Sequence, residues 1–183
     1  MKSSNVLGNL FFLLGIAGMV VLIIALVMFK PNTFDQKALF VIGAVILFAT
    51  AVYNRNVMLA LLEILVTVAI LTSFVESLQL VYRLGSLLFL SAVLISYLVY
   101  THHFQKEKIA ILASISLVLL AIGYSFDVSG YVYVFGAFAG LGSALFSIYS
   151  GVSLFVYKVR VQAIWMVLNI IFSVSAMLIL VGI

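Results

Sequence analysis

Polar residues are so sparse along this chain that they divide it by themselves. Apolar runs occupy residues 6–29, 38–53, 57–74, 84–100, 109–126, 131–157 and 161–183, separated by short polar turns. Crossing a bilayer takes about 20 largely apolar residues in a helix. The pattern therefore predicts an all-α, polytopic transmembrane helix bundle with seven spans. The second run is short. The sixth exceeds a hydrocarbon core of ~30 Å at 1.5 Å per residue, so tilt or a bend near Gly140 and Gly142 is expected. The polar turn at 30–37 holds the chain's one proline, Pro31, and residues 127–130 make another turn.

Composition sharpens this picture. The 183 residues are 67% hydrophobic and 8% charged. A soluble domain of that size needs far more polar surface, so residues 1–183 read as a single integral membrane domain whose surroundings are the lipid bilayer. There is no cysteine, which excludes disulfides and thiolate-held metals. A formal charge of +4 is too small to argue for nucleic acid and reports orientation instead. The first run is longer than a signal-peptide core and no small-residue cleavage site follows it, so it reads as retained. Seven spans put Lys2, Arg55, Lys106, Lys108, Lys158 and Arg160 on one side and Lys30, Lys37 and Arg83 on the other. Six basic residues against three place the N-terminus in the cytoplasm and the C-terminus outside. A bacterial cytoplasmic membrane is the expected location.

The polar residues inside the runs are patterned too. Asn56, Glu63 and Thr67 are spaced by seven and four, and so are Gln162, Asn169 and Ser173. Such steps keep three side chains on one helix face. Glu63, Ser116 and Asn169 also recur at a constant interval, each after a Val-Tyr dipeptide: Val52-Tyr53, Val99-Tyr100 and Val156-Tyr157. An internal repeat explains these matches; chance among common membrane residues is the alternative. One grouping has units at 6–78 and 109–183 joined by a linking helix at 84–100. The other is a lone first helix followed by three hairpins. Parallel repeats place a solute site at their interface near the bilayer midplane.

The 3+1+3 plan, with Trp165-Met166-Val167-Leu168-Asn169 in the last helix, resembles the SWEET sugar transporters and the PnuC-type vitamin transporters. In such families an asparagine on the third helix of each unit lines the solute pocket. Asn169 matches that position, and Glu63 stands where its partner would be. The resemblance implies small-solute transport by a similar plan, not a particular solute. It makes Trp165, just before Asn169, a pocket residue as well.

Glu63 is the sharpest chemical feature. A carboxylate at the centre of a membrane helix costs about 2.5–3.5 kcal/mol on insertion scales. It is tolerable when protonated, paired or beside water. It reads either as a proton- or cation-responsive group that binds a small polar solute, or as a structural hydrogen bond to a neighbouring helix. Asn169 reads as a bridge between helices or as pocket lining. Ser173 and Thr67 would bond back to their own helices or join Ser116 in the same pocket. Gln162 and Asn56 read as solvated. Gly136, Gly140 and Ala144 form a small-residue row that packs a helix within the chain or contacts a homodimer partner or partner helix. Glu76 and Arg83 read as a surface ion pair.

His102 and His103 lie in a polar turn with too few companions for a metal site. No span offers a histidine for haem or for a serine dyad, the last span has no lysine, and no phosphate-binding or hydrolase motif occurs. The expectation is no enzyme, no cofactor and no metal. Two functions compete: a small-solute transporter using Glu63 and Asn169, or a membrane scaffold or subunit using the small-residue row.

Overall fold

The computed structural model describes residues 2–28, 33–75, 78–126 and 131–181, with side chains from Val6 onward. Among them are eight helices and no strand: α1 (Lys2–Met28), α2 (Phe34–Tyr53), α3 (Val57–Ser73), α4 (Leu80–Tyr100), α5 (His103–Lys106), α6 (Ala110–Ser125), α7 (Val132–Phe155) and α8 (Gln162–Val181). Five of them, α1, α2, α4, α7 and α8, are long and apolar enough to cross a membrane, whereas α3 and α6 are apolar but shorter, at 17 and 16 residues. Large apolar side chains such as Val81, Phe89 and Ile148 are exposed. That surface suits lipid and makes the chain an integral membrane protein, several of whose helices can span.

The helix starts correct the expected boundaries. Thr33 caps α2 by accepting a hydrogen bond from the Gln36 amide at 3.4 Å. Phe34–Lys37 is thus the first turn of a helix and not loop. Arg83 lies inside α4 and is buried, so it is not a surface residue as expected. Glu76, its expected partner, lies outside the described residues, as do residues 29–32, the turn at 127–130 and the last two residues. The long α7 runs as one helix through Gly140 and Gly142.

Three helices end alike. Arg55, His102 and Lys158 take positive φ angles of 53°, 54° and 61° just past the three Val-Tyr dipeptides. The left-handed residue turns the chain and lets a following amide cap a free carbonyl. Asn56 N–H donates to Ala51 O at 3.0 Å and Val159 N–H to Ser153 O at 3.1 Å, each one residue past the left-handed position, whereas after α4 the left-handed His102 donates its own N–H to Val99 O at 3.0 Å.

The chain divides into two compact units, Met1–Phe74 and Val75–Ile183. The first packs α1 on α2 and α2 on α3. Its core holds Leu22, Ala25, Leu47, Met58, Leu59 and Leu65. Phe11 stacks flat on Tyr53 at 3.8 Å. Gly18 and Gly43 let α1 and α2 approach; a Cβ on Gly43 would meet Leu22 Cδ2 at 2.5 Å. In the second unit α7 is central, between α6 and α8, while α4 packs on α6. Phe146, Tyr149 and Trp165 fill its core. Here the atoms nearest two of the glycines are themselves backbone. A Cβ on Gly123 would lie 2.6 Å from Ala139 N, and one on Gly136 would lie 2.7 Å from Ala176 O.

Candidate functional site

In the first unit the site is Glu63. It falls seventh in α3, flanked by Leu61, Leu62 and Leu65, and is 2% exposed. It has an interaction partner within the protein. Thr67, one turn on, is half-buried. Asn56 is not simply solvated: its side chain caps α3 by accepting from the Leu59 amide at 3.2 Å. Of the three positions, Asn56 holds the helix end, Glu63 is buried and Thr67 is half-buried.

The same unit carries a second buried charge. Lys37 Nζ donates to Ser73 O at 2.7 Å and lies 5.6 Å from the centre of the Phe74 ring. One cation thereby satisfies a carbonyl left open at the end of α3. Gln36 Nε2 donates to Ala25 O at 3.2 Å near the end of α1. The sequence pattern places both side chains in a polar turn instead.

In the second unit the α8 stripe is wholly buried: Gln162, Asn169 and Ser173 all face the interior. Their partners differ from expectation. Ser173 Oγ does not bond back to its own helix; it donates across to Gly140 O at 2.9 Å. Asn169 does the reverse. Its Nδ2 donates to Trp165 O at 2.9 Å on its own helix instead of bridging helices. Ser116 Oγ, from α6, donates to Gly142 O at 2.6 Å. Two serines thus grip α7 from both sides, at carbonyls two residues apart. The glycines make this possible by bringing α6 and α8 within reach. Gly136 and Gly140 are covered by Ala176, Met177 and Leu180 of α8; Ala144 alone of the small-residue row remains half-exposed among these three.

Gln162 was expected to be solvated, but it is fully buried. Its amide lies against the Tyr149 phenol, yet neither of its polar atoms reaches hydrogen-bond geometry with any described residue.

A polar cluster that the sequence pattern does not reveal lies nearby, built on Glu107. Its carboxylate accepts from Ser153 Oγ at 3.0 Å and Tyr149 Oη at 3.3 Å, and His103 Nε2 stands 3.3 Å away. Burial alone would raise the Glu107 pKa, but His103, Ser153 and Tyr149 together hold it below the ordinary carboxylate value. The signal was weak because Tyr149 and Ser153 lie 42 and 46 positions away in sequence. Glu107 ties the turn ahead of α6 to the last two turns of α7.

No protein-family model matches this chain, and no match is found among curated proteins or solved structures.

Proposed function

We propose that this is a membrane transporter for a small polar or cationic solute, and that Glu63 is the group that engages it. The observation that carries the reading is a carboxylate buried at mid-helix among leucines. Ionisable residues inside membrane helices are costly, and they mark solute, ion or proton paths more often than packing. In the second unit, by contrast, the buried mid-helix polar groups are serines and amides, with Ser116, Ser173 and Asn169 bonded to backbone carbonyls. Asn169 and Trp165 enter the proposal through the resemblance to SWEET and PnuC-type carriers, with Thr67 as a second contact beside Glu63.

Seven crossings belong to the same proposal, with α3 and α6 spanning as short helices and the N-terminus in the cytoplasm. Since the protein lacks cysteine, single cysteines at Arg55 and Lys158 would be labelled from the cytoplasmic side only. The decisive experiment is uptake into proteoliposomes across a panel of small polar and cationic solutes. Glu63→Gln should reduce uptake of the transported solute by tenfold or more; uptake equal to the parent protein would remove Glu63 from the site. The scaffold alternative would need a surface other than Gly136 and Gly140, since α8 already covers both.

A further inference from the structure

We propose that the carboxamide of Gln162 binds a buried water molecule, and that this water ends a hydrogen-bonded chain running from Glu107 through Tyr149 to the first turn of α8. The inference concerns the second unit alone and is independent of Glu63 and of any solute.

The chain starts at a charge. Glu107 closes the short α5, and its side chain is 22% exposed. Its neighbours hold its pKa below the ordinary carboxylate value, so it is ionised at neutral pH. An ionised carboxylate only accepts hydrogen bonds. The Tyr149 hydroxyl, 3.3 Å from Oε2, therefore points its hydrogen at Glu107. The phenol oxygen is then left able only to accept. The Gln162 amide lies against this phenol. Of the two ends of a carboxamide only the amine donates, so Nε2 is the end turned to Tyr149 and Oε1 is turned away. Every hydrogen in the chain points toward Glu107.

This polarity leaves Oε1 in need of a donor. Gln162 is 0% exposed, and no described residue donates to Oε1. A small rotation that completed the bond from Nε2 to the phenol would still leave the carbonyl unpaired. Buried acceptors in that state are rare and costly. The occupant has to be small, because Tyr149, Phe146 and Trp165 fill the same core with no exposed surface. It also has to donate and accept at once. One water does both: it donates to Oε1 and accepts from the Nε2 hydrogen on the same edge of the amide. Buried waters make about three hydrogen bonds to groups of this kind, and such a bridge is nearly as good as a direct bond. The half-exposed Glu107, one hydrogen bond from Tyr149, is the polar end nearest to solvent.

The test is water-edited solid-state NMR on the full-length protein in lipid vesicles. Val-Gln occurs once in the chain, so paired valine and glutamine labelling assigns Gln162 without any variant. Magnetisation from water should reach its side-chain amide several times faster than it reaches the backbone amide of the buried Phe146, and should follow the exposed Gln105 instead. The fast transfer should persist in Tyr149→Phe, which removes the exchanging phenol hydrogen as a source. Thermal unfolding supplies an independent readout. If the carboxamide were dry, Gln162→Met would delete two unpaired polar atoms and raise the melting temperature. With water bound, the variant strands that water, and melting should fall by about 2–4 °C. The proposal is overturned by transfer at Gln162 as slow as at Phe146, by loss of the fast transfer in Tyr149→Phe, or by a Gln162→Met protein that melts at or above the parent.

Discussion

The two units solve the same packing problem differently. In the first, Gly18 and Gly43 each meet a side chain first, Ile46 and Leu22, with the facing glycine's carbonyl next at 3.2 and 3.1 Å. Long polar side chains then fasten helix ends, as Lys37 does at Ser73 and Gln36 at Ala25. In the second, Gly123 and Gly136 meet backbone first, Gly140 and Gly142 meet the Met177 and Leu120 side chains first, and short serines grip the carbonyls that this closeness brings within reach. Side chains can give way by a few tenths of an ångström; backbones held on both sides cannot. The mid-helix acid lies in the unit whose two packed glycines meet side chains first. The lesson is that small residues do two jobs in one chain, and what a glycine faces decides which.

The strongest challenge to this contrast is Gly123→Ala. Its new Cβ would fall 2.6 Å from Ala139 N, and overpacking of this kind costs about 1–3 kcal/mol. We expect the upper end, near 3 kcal/mol, in reversible unfolding from mixed micelles. Gly43→Ala should cost less because Leu22 can rotate, and Gly85→Ala, where nothing lies within 4 Å, should gain about 0.5–1 kcal/mol. Equal losses at Gly43 and Gly123 would erase the distinction between the units.

Next comes Lys37→Met in the first unit. Hydrogen bonds to charged groups contribute about 1.5–3 kcal/mol, so a loss of about 2 kcal/mol is expected by the same measurement. A neutral result would show that Ser73 O is satisfied without the lysine.

The Glu107 cluster gives a pH signature. Its folded-state pKa is lowered, so its stabilisation is present above the ordinary carboxylate value. It is lost as pH falls through the lowered value. Melting temperature should therefore drop on acidification in the parent, and this part of the drop should vanish in Glu107→Gln. At neutral pH that variant should be less stable by about 1 kcal/mol. A parallel acid response in both proteins would exclude the cluster as its source.

The smallest effect is expected at the serine grips. Ser116→Ala and Ser173→Ala should each cost about 0.6 kcal/mol, the average for hydrogen bonds between membrane helices. Costs near 2 kcal/mol would mean that hydroxyls, not glycine closeness, hold the second unit together.

Much of the helix order was legible because a run of apolar residues is a strong signal. The seven long helices fall within a few residues of the apolar runs, and the short α5 was missed. The unexpected burials share one cause: a charged or amide side chain does not by itself mark water. Lys37, Arg83 and Gln162 are all buried. The start of α2 could have been found from Thr33 and Gln36, whose spacing suits a capping pair. Burial of Glu63 and Asn169 followed from their apolar neighbours. Their bonding did not, because a hydroxyl or amide chooses among carbonyls that only the packing supplies. Ser173 reaches Gly140 and Asn169 turns to Trp165 for that reason. The division into two compact units likewise reflects contacts distant in sequence.

The brevity of α3 has a physical result for the solvent around it. Seventeen residues rise about 25 Å, some 5 Å less than an average hydrocarbon layer. Under the seven-crossing proposal, a span of that length draws the lipid headgroups inward, at a cost of fractions of a kcal/mol per ångström. Glu63 then stands only about 9 Å from the nearer end of its helix. Under that proposal the lipid and this helix adjust to each other, and acyl-chain length becomes a lever on how deeply its acid lies in the slab.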